Sequence, residues 1–316
     1  MSAEKFFNQK LNALSAALDI TLNGDTAAQR FQNLHTITRD KVMSSKVEAY
    51  ARFIKDTLIA DFAGITEGDD TNIKPHVQSM LFYTLVNGMA HIYPKNNYPK
   101  THHWLPVTYM KPFGIKAYKG ARAIVPATCF TSSGVLSVTV NDIEFAHNRD
   151  KGYDLAIEAF FNQIETAYTH FRHTHTDDPS AVVAVAAFAI SQSVRNPHPK
   201  AGFIAKDIVG VVDALLDNLD KTERMFAHFI NNNHRLPISP YTPMKIRQFA
   251  DGNRAFMLPI LPQTGFVLSS KKPLTQGQVR VVSDHYREGI MKDAQRNYGV
   301  VFGMHAGAVL KALEQM

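Results

Sequence analysis

Apolar residues recur at helical spacing from the first turn of the chain. Phe6, Phe7, Leu11, Leu14 and Leu18 fall on one stripe, and Phe31, Leu34, Ile37, Val42, Val47, Tyr50, Phe53, Ile54 and Leu58 continue the period after Gly24-Asp25. The spacing predicts that residues 1–62 are mostly helix. Residues 66–72, Thr-Glu-Gly-Asp-Asp-Thr-Asn, carry turn chemistry, and Pro75 suits the first turn of a further helix reaching about Tyr93.

The pattern changes near Pro94. Pro99, Pro106, Pro112 and Pro126, with Gly114, Gly120 and Gly134, punctuate any long helix there. Leu136, Val138 and Val140 alternate with Ser137 and Thr139, the period of a strand with one buried face. Helix resumes at Gly152, where Tyr153, Ile157, Phe160, Phe161, Ile164, Tyr168 and Phe171 share one arc, with Glu158, Asn162 and Glu165 opposite or flanking. Ala181 to Val194 is apolar on nearly every side, which predicts a helix enclosed by other helices. A third helix is expected from about Ile204 to Ile230. Pro237, Pro240 and Pro243 then break the pattern, and Phe256 to Leu268 fits a short hairpin across Pro262-Gln263-Thr264-Gly265. A last helical stretch is expected from Gln276 through Ala312, on which Gly299, Gly303 and Gly307 form one small-residue face.

The expected fold is therefore mainly α and two-lobed, with a small β or irregular subdomain in the middle and a hairpin near 256–268. Its divisions are an N-terminal helical lobe at 1–93, a β-rich basic and aromatic segment at 94–147 packed on it, and a C-terminal helical lobe at 148–316.

Composition narrows the class. With 316 residues and 45% apolar content the chain can bury a real core. The single cysteine, Cys129, excludes an intramolecular disulfide framework and a multi-cysteine zinc site, which fits a reducing compartment. The N-terminus carries Glu4 in an amphipathic pattern and does not read as a secretory signal. The longest apolar run, Ala181 to Ile190, is ten residues, short of the roughly 17–25 that a membrane span needs. The expectation is a cytoplasmic or virion protein, not secreted through a signal peptide and without a membrane partner.

Charge changes the picture more than composition does. The net charge is +6, but residues 71–141 hold seven Lys and Arg and no Asp or Glu. Acidic stretches flank that segment, with net charge −2 over residues 1–70 and −5 over residues 142–178. Within it, Tyr93 to Arg122 interleaves aromatic and basic side chains. Lysines and arginines neutralise phosphates with release of counterions, and aromatic faces stack unpaired bases at roughly 1–3 kcal/mol each. The alternative is a solvated face of an ordinary β subdomain with Trp104, Tyr109 and Phe113 turned inward. Two further acid-free stretches, 224–250 after Glu223 and 252–283, repeat the sign. The candidate nucleic-acid-binding residues are Lys95, Lys100, Trp104, Tyr109, Lys111, Lys116, Tyr118, Lys119, Arg122, Arg235, Lys245, Arg247 and Arg254.

Other chemistry is thinner. Residues 169–178, Thr-His-Phe-Arg-His-Thr-His-Thr-Asp-Asp, look like a metal site built on His170, His173 and His175. A helix corner accounts for the same residues, with histidines on the negative end of one helix and Asp178 capping the next ahead of Pro179. Cys129 lacks the local signature of a thiol nucleophile and reads as a small buried residue. No phosphate loop, dinucleotide fingerprint, Gly-x-Ser-x-Gly or His-Glu-x-x-His motif occurs.

The function expected from the sequence is a nucleic-acid-binding structural protein of nucleoprotein or coat type rather than an enzyme. It would bind single-stranded nucleic acid, RNA before DNA, largely without sequence specificity. It would need no cofactor and would assemble with itself through its terminal helices, by the stripes Phe6/Phe7/Leu11/Leu14 and Val309/Leu313/Met316. The alternatives are an enzyme or effector with a histidine-based site at His170, His173 or His102/His103, with or without a metal, and an interaction scaffold that binds no nucleic acid.

Overall fold

The structure is a computed structural model and describes residues 1–62, 71–90, 102–103, 107–114, 124–141, 147–148, 155–173, 179–195, 207–239, 245–297 and 299–314. In chain order the elements are α1 Ala3–Leu18, α2 Ala27–Ile37, α3 Lys41–Asp61, α4 Lys74–Ala90, β1 His102–His103 and α5 Val107–Met110. After a 3-10 turn at Lys111–Phe113 come β2 Ile124–Thr131, β3 Gly134–Asn141, β4 His147–Asn148, α6 Leu155–His173, α7 Pro179–Arg195 and α8 Ile208–Asp220. The last third holds β5 Phe226–Asn231, β6 Lys245–Gln248, β7 Arg254–Pro259, β8 Thr264–Ser269, α9 Gln276–Arg296, β9 Val300–Phe302 and α10 Ala306–Glu314. The protein is mainly α with a small β part.

The chain divides into two compact units, each made of two separated stretches. Residues 1–102 and 150–225 form the first, and residues 103–149 and 226–316 form the second. This division differs from the sequence expectation. The β hairpin of the middle segment groups with the C-terminal third, and the helices after residue 150 group with the N-terminal ones.

In the first unit, α4 and α7 have no polar face. From Val77 to Ala90 all but Tyr83 and Ser79 of α4 are buried, and Ala181 to Gln192 of α7 are buried without exception. A helix apolar on every side is stable only when other helices enclose it, and the amphipathic α1, α2, α3, α6 and α8 do so. Phe7, Phe31 and Phe82 meet edge to face with centroids 5.7–6.1 Å apart, tying α1, α2 and α4 together. Tyr168 of α6 stacks on Phe188 of α7 at 4.0 Å. Helix starts are satisfied by side chains: Ser2 accepts from the Lys5 amide, Thr26 and Gln29 form a capping box, and Asp207 accepts from the Gly210 amide. Asn72 Oδ1 accepts from the amides of Lys74 and Met225, which fixes the start of α4 against the chain leaving α8.

The second unit is built around α9. The four-stranded antiparallel sheet, in order β5-β8-β7-β6, places Ala255, Met257 and Val267 against Val279, Val282 and Tyr286 of α9. The three-stranded sheet, in order β3-β2-β9, contributes Phe130 and Val301 to the same core, and Val309 and Ala312 of α10 close it. Thr128 Oγ1 donates to the Met304 carbonyl, and the Tyr286 hydroxyl donates to the Pro237 carbonyl at 2.8 Å.

Several expectations change. The helix predicted to reach Ile230 ends at Asp220, where the Lys221 and Thr222 amides close the last turn and the Thr222 hydroxyl donates to the Leu219 carbonyl. The aromatic and β-branched run Phe226–Asn231 is strand β5 instead, because it pairs with β8 across six residues. The helix predicted over 276–312 is interrupted by β9. Gly299 and Gly303 flank that strand, Gly303 with φ +83°, so no glycine face exists on a continuous helix. The expected C-terminal helical lobe thus also holds strands β5 to β9. The hairpin near 256–268 is present as β7 and β8, closed by bonds between Thr264 and the 260–261 backbone. Strand β3 also forms, but the face turned to the core carries Val135, while Leu136 is 55% exposed.

The terminal stripes expected to bind a neighbouring subunit are spent internally. Phe6, Phe7, Leu11 and Leu14 are buried in the first unit, and Val309 with Leu313 packs in the second. Met316 lies outside the described residues.

Gly88 lets α4 approach α6 closely: a Cβ there would lie 2.9 Å from the Cα and the amide nitrogen of Phe160. Backbone cannot give way as a side chain does, so Gly88→Ala is expected to lower stability by about 1–3 kcal/mol in urea unfolding. His228 is buried and its Nε2 accepts the Leu274 amide at 3.2 Å, so burial holds its pKa below the usual 6.5. The unfolded chain then takes up the proton more readily. The stability present above pH 6.5 falls on acidification below it. A His228→Gln chain, able to accept the same bond without titrating, is expected to show a smaller drop in melting temperature between neutral and mildly acidic buffer.

Candidate nucleic-acid interface and a buried arginine cluster

Of the interleaved segment 93–122, Lys95, Lys100, Trp104, Lys116, Tyr118, Lys119 and Arg122 lie outside the described residues. Tyr109 and Lys111 are described, and they part company. Lys111, in the 3-10 turn, is exposed. Tyr109 is fully buried and packs on the Phe113 ring at 5.8 Å, so it is a core residue and not a base-stacking platform. The inward-facing alternative holds for Tyr109 and Phe113, both fully buried.

The C-terminal basic residues form two groups. Arg235 follows β5 and is exposed, with Nη1 3.4 Å from the Gly303 carbonyl. Lys245, Arg247 and Arg254 sit on or beside edge strand β6 at the other side of the sheet. Lys245 is engaged in an ion pair with Asp293 of α9. Arg247 is exposed opposite Ala255, whereas Arg254 is exposed opposite Gln248, so the two arginines leave the sheet on opposite faces. Arg235 follows β5 at one end of the sheet and Arg254 opens β7 at the other, about the length of β5 away, roughly 17 Å at ~3.3 Å per residue. The C-terminal basic residues therefore make two patches. Lys271 and Lys272 join Arg254 at its end, where Lys272 pairs with Asp251 at 2.7 Å. Among the described residues, Lys111, Arg235, Arg247 and Arg254 have no ion-pair partner.

The division into units sorts charge in a way the linear segments only half revealed. The second unit holds sixteen Lys and Arg against seven Asp and Glu, net +9, and the first holds eighteen against twenty-one, net −3. A domain of net +9 attracts polyanions over a Debye length of about 10 Å in ordinary salt.

The feature that sequence reading missed is in the first unit. Arg195, the last residue of α7, has a side chain 1% exposed and is ion-paired to Glu165 and, at 3.9 Å, to Glu158 of α6. Its guanidinium lies 4.7 Å from the centre of the Phe161 ring. Glu158 and Glu165 stand two turns apart on one face of α6, and α7 runs back along α6 so that its last residue meets that face. Burial raises the pKa of Glu165, Arg195 opposes that shift, and the neighbouring Glu158 adds to it. Gln192, one turn before Arg195, is fully buried, and neither its amide nitrogen nor its oxygen has a hydrogen-bond partner among the described residues. The sequence placed both glutamates outside the apolar arc. The overlooked signal was an arginine ending a run of buried helix opposite two carboxylates at i, i+7.

The arrangement neutralises buried charge and offers no poised nucleophile. Cys129 is half-buried rather than buried, and burial pushes its thiol up, away from thiolate. His170 and His173 fall at the end of α6 and Pro179 opens α7, as the helix-corner reading requires, while their imidazoles and His175 lie outside what the structure describes. Among the described residues no group of three metal-ligating side chains occurs, and no helix is long and apolar enough to cross a membrane. Compared with known proteins, the chain matches no family model, no curated sequence and no solved structure.

Removing Arg195 takes from both buried carboxylates the counter-charge they share. Arg195→Met is expected to cost about 3–5 kcal/mol, and adding Glu158→Leu and Glu165→Leu to recover most of it, read by denaturant unfolding. An unchanged midpoint in the single variant would show that the cluster is solvated rather than buried.

Proposed function

We propose that this chain is a nucleic-acid-binding structural protein, of nucleoprotein or coat type, that holds single-stranded nucleic acid largely without regard to sequence and assembles with itself. The observation that carries the reading is the concentration of positive charge in one unit, net +9 against −3 in the other. That unit displays exposed arginines with no acidic partner among the described residues. Cations left unpaired on a surface are available to phosphates, and each one engaged releases condensed counterions. Charge placed on both faces and both ends of the sheet suits a partner that wraps, such as a flexible single strand, better than one read by a single flat face.

With Tyr109 in the core, the reading rests on phosphate contacts. Stacking falls to Trp104 and Tyr118, and the basic residues of 95–122 add to the arginines of the sheet.

The test is anisotropy of a labelled single-stranded oligonucleotide with the full chain. Binding is expected at ~50 mM salt and should weaken steeply toward ~200 mM. The double variant Arg247→Glu, Arg254→Glu is expected to bind more weakly. Its salt slope should be smaller by about 0.7 for each phosphate that is no longer neutralised. Absence of binding at the lower salt, or binding indifferent to salt, would sink the proposal.

A further inference from the structure

The β2–β3 hairpin turns through Ser132-Ser133, with Thr131 opposite Gly134 and every pair from there to Ile124–Asn141 in register. β2 uses the backbone of Phe130 and Pro126 toward β9, bonding Gly299 and Gly303 respectively. In an antiparallel ladder successive residues bond to alternate sides, so β2 turns Cys129 and Ala127 toward β3 and is met there by Leu136 and Val138. The amides and carbonyls of Val135, Ser137 and Thr139 consequently point away from the sheet, along an outer edge of β3. Among the described residues none of them has a hydrogen-bond partner.

Edges of this kind are normally protected by charge, proline or cover. β6, the edge of the other sheet, carries Lys245 and Arg247, and β5 at its far side is largely buried. Among the described residues β3 carries no charge and no proline, and its cover is α10, whose Ala306 amide donates to the Ser137 hydroxyl at 2.8 Å. Residues 123–141 contain no Asp, Glu, Lys or Arg, although the unit around them has net charge +9. This is the stretch of the unit where a like-charged copy meets least repulsion. Leu136 is 55% exposed, with half-buried Val138 and Cys129 beside it on the same face.

We infer that the free edge of β3 is a self-association surface, which pairs antiparallel with β3 of a second copy of this chain about a two-fold axis at Ser137. A bare row of amides and carbonyls requires a strand as its occupant, and this strand complements itself. Centred on Ser137, the pairing sets Val135 opposite Thr139 of the second copy and exchanges six hydrogen bonds between the three outward residues of each copy. Leu136 then lies beside Val138 of the second copy, and the apolar strip runs unbroken across a six-stranded sheet. The inference rests on the assembly part of the reading above and replaces the terminal helices, whose stripes are buried, as its means.

The test is sedimentation of the full chain without nucleic acid, up to roughly 100 µM, a range that captures weak dimers. A dimer is expected. Leu136→Lys should weaken it by roughly tenfold or more, with melting temperature and oligonucleotide binding unchanged. Val138→Glu alone should weaken it likewise. Mixing the two variants should restore a heterodimer, because positions 136 and 138 meet across the axis. A wild-type chain monomeric over this range, or a dimer indifferent to both variants, overturns the inference. Loss of oligonucleotide binding with the dimer intact would count against the nucleic-acid reading alone.

Discussion

Two helices with no polar side set the terms for the rest of the molecule. α4 and α7 bury nearly their whole circumference, and neither persists in water without a shell. The shell for α4 is incomplete when α1 to α3 have formed, because α6 supplies one flank and α7 packs alongside. The chain must therefore return after residue 150 to finish what residues 1–102 began. The stretch spanned meanwhile, 103–149, goes to the second unit. Charge follows this partition, net −3 in one unit and +9 in the other.

Where α4 and α6 meet, the constraint becomes atomic. Gly88 allows contact of backbone with backbone, and a hydrophobic helix gains most from approach that close. On either side of Phe160, Glu158 and Glu165 are shut in where α6 meets α7. Arg195 is then required as their counter-charge, and the cost of burying three ions is carried by the surrounding packing. The cluster reads as a consequence of enclosure rather than as a reaction centre.

Periodicity made much of this legible. The stripes of α1 to α3, the arc of α6 and the faceless α7 were all visible, since each repeats its signal over several turns. The hairpin of β7 and β8 was visible through its Pro-Gln-Thr-Gly turn. β5 was hidden because Phe226 and Ile230 also satisfy a helical period, and six residues do not separate the two. Nothing local distinguishes Val135 from Leu136 as the inward residue of β3; packing against the core of the second unit decides it. Partition into units was illegible for a related reason, as it depends on pairings such as β2 with β9, some 170 residues apart. Tyr109 shows the same limit on the functional side: an aromatic among lysines looks alike whether its ring faces solvent or core.

The interleaving of the two units has a consequence for birth on the ribosome. Neither unit corresponds to a continuous length of chain, so no early pause in synthesis delivers a finished domain. The first unit can close only after residue 225 has emerged, and the β2–β3 hairpin waits longer still. Its inner edge is covered by β9, at residues 300–302, some 160 residues farther along the chain. Until then the hairpin has two open edges and no charge. Two nascent chains on neighbouring ribosomes of one message would present that hairpin to each other before either could complete it alone.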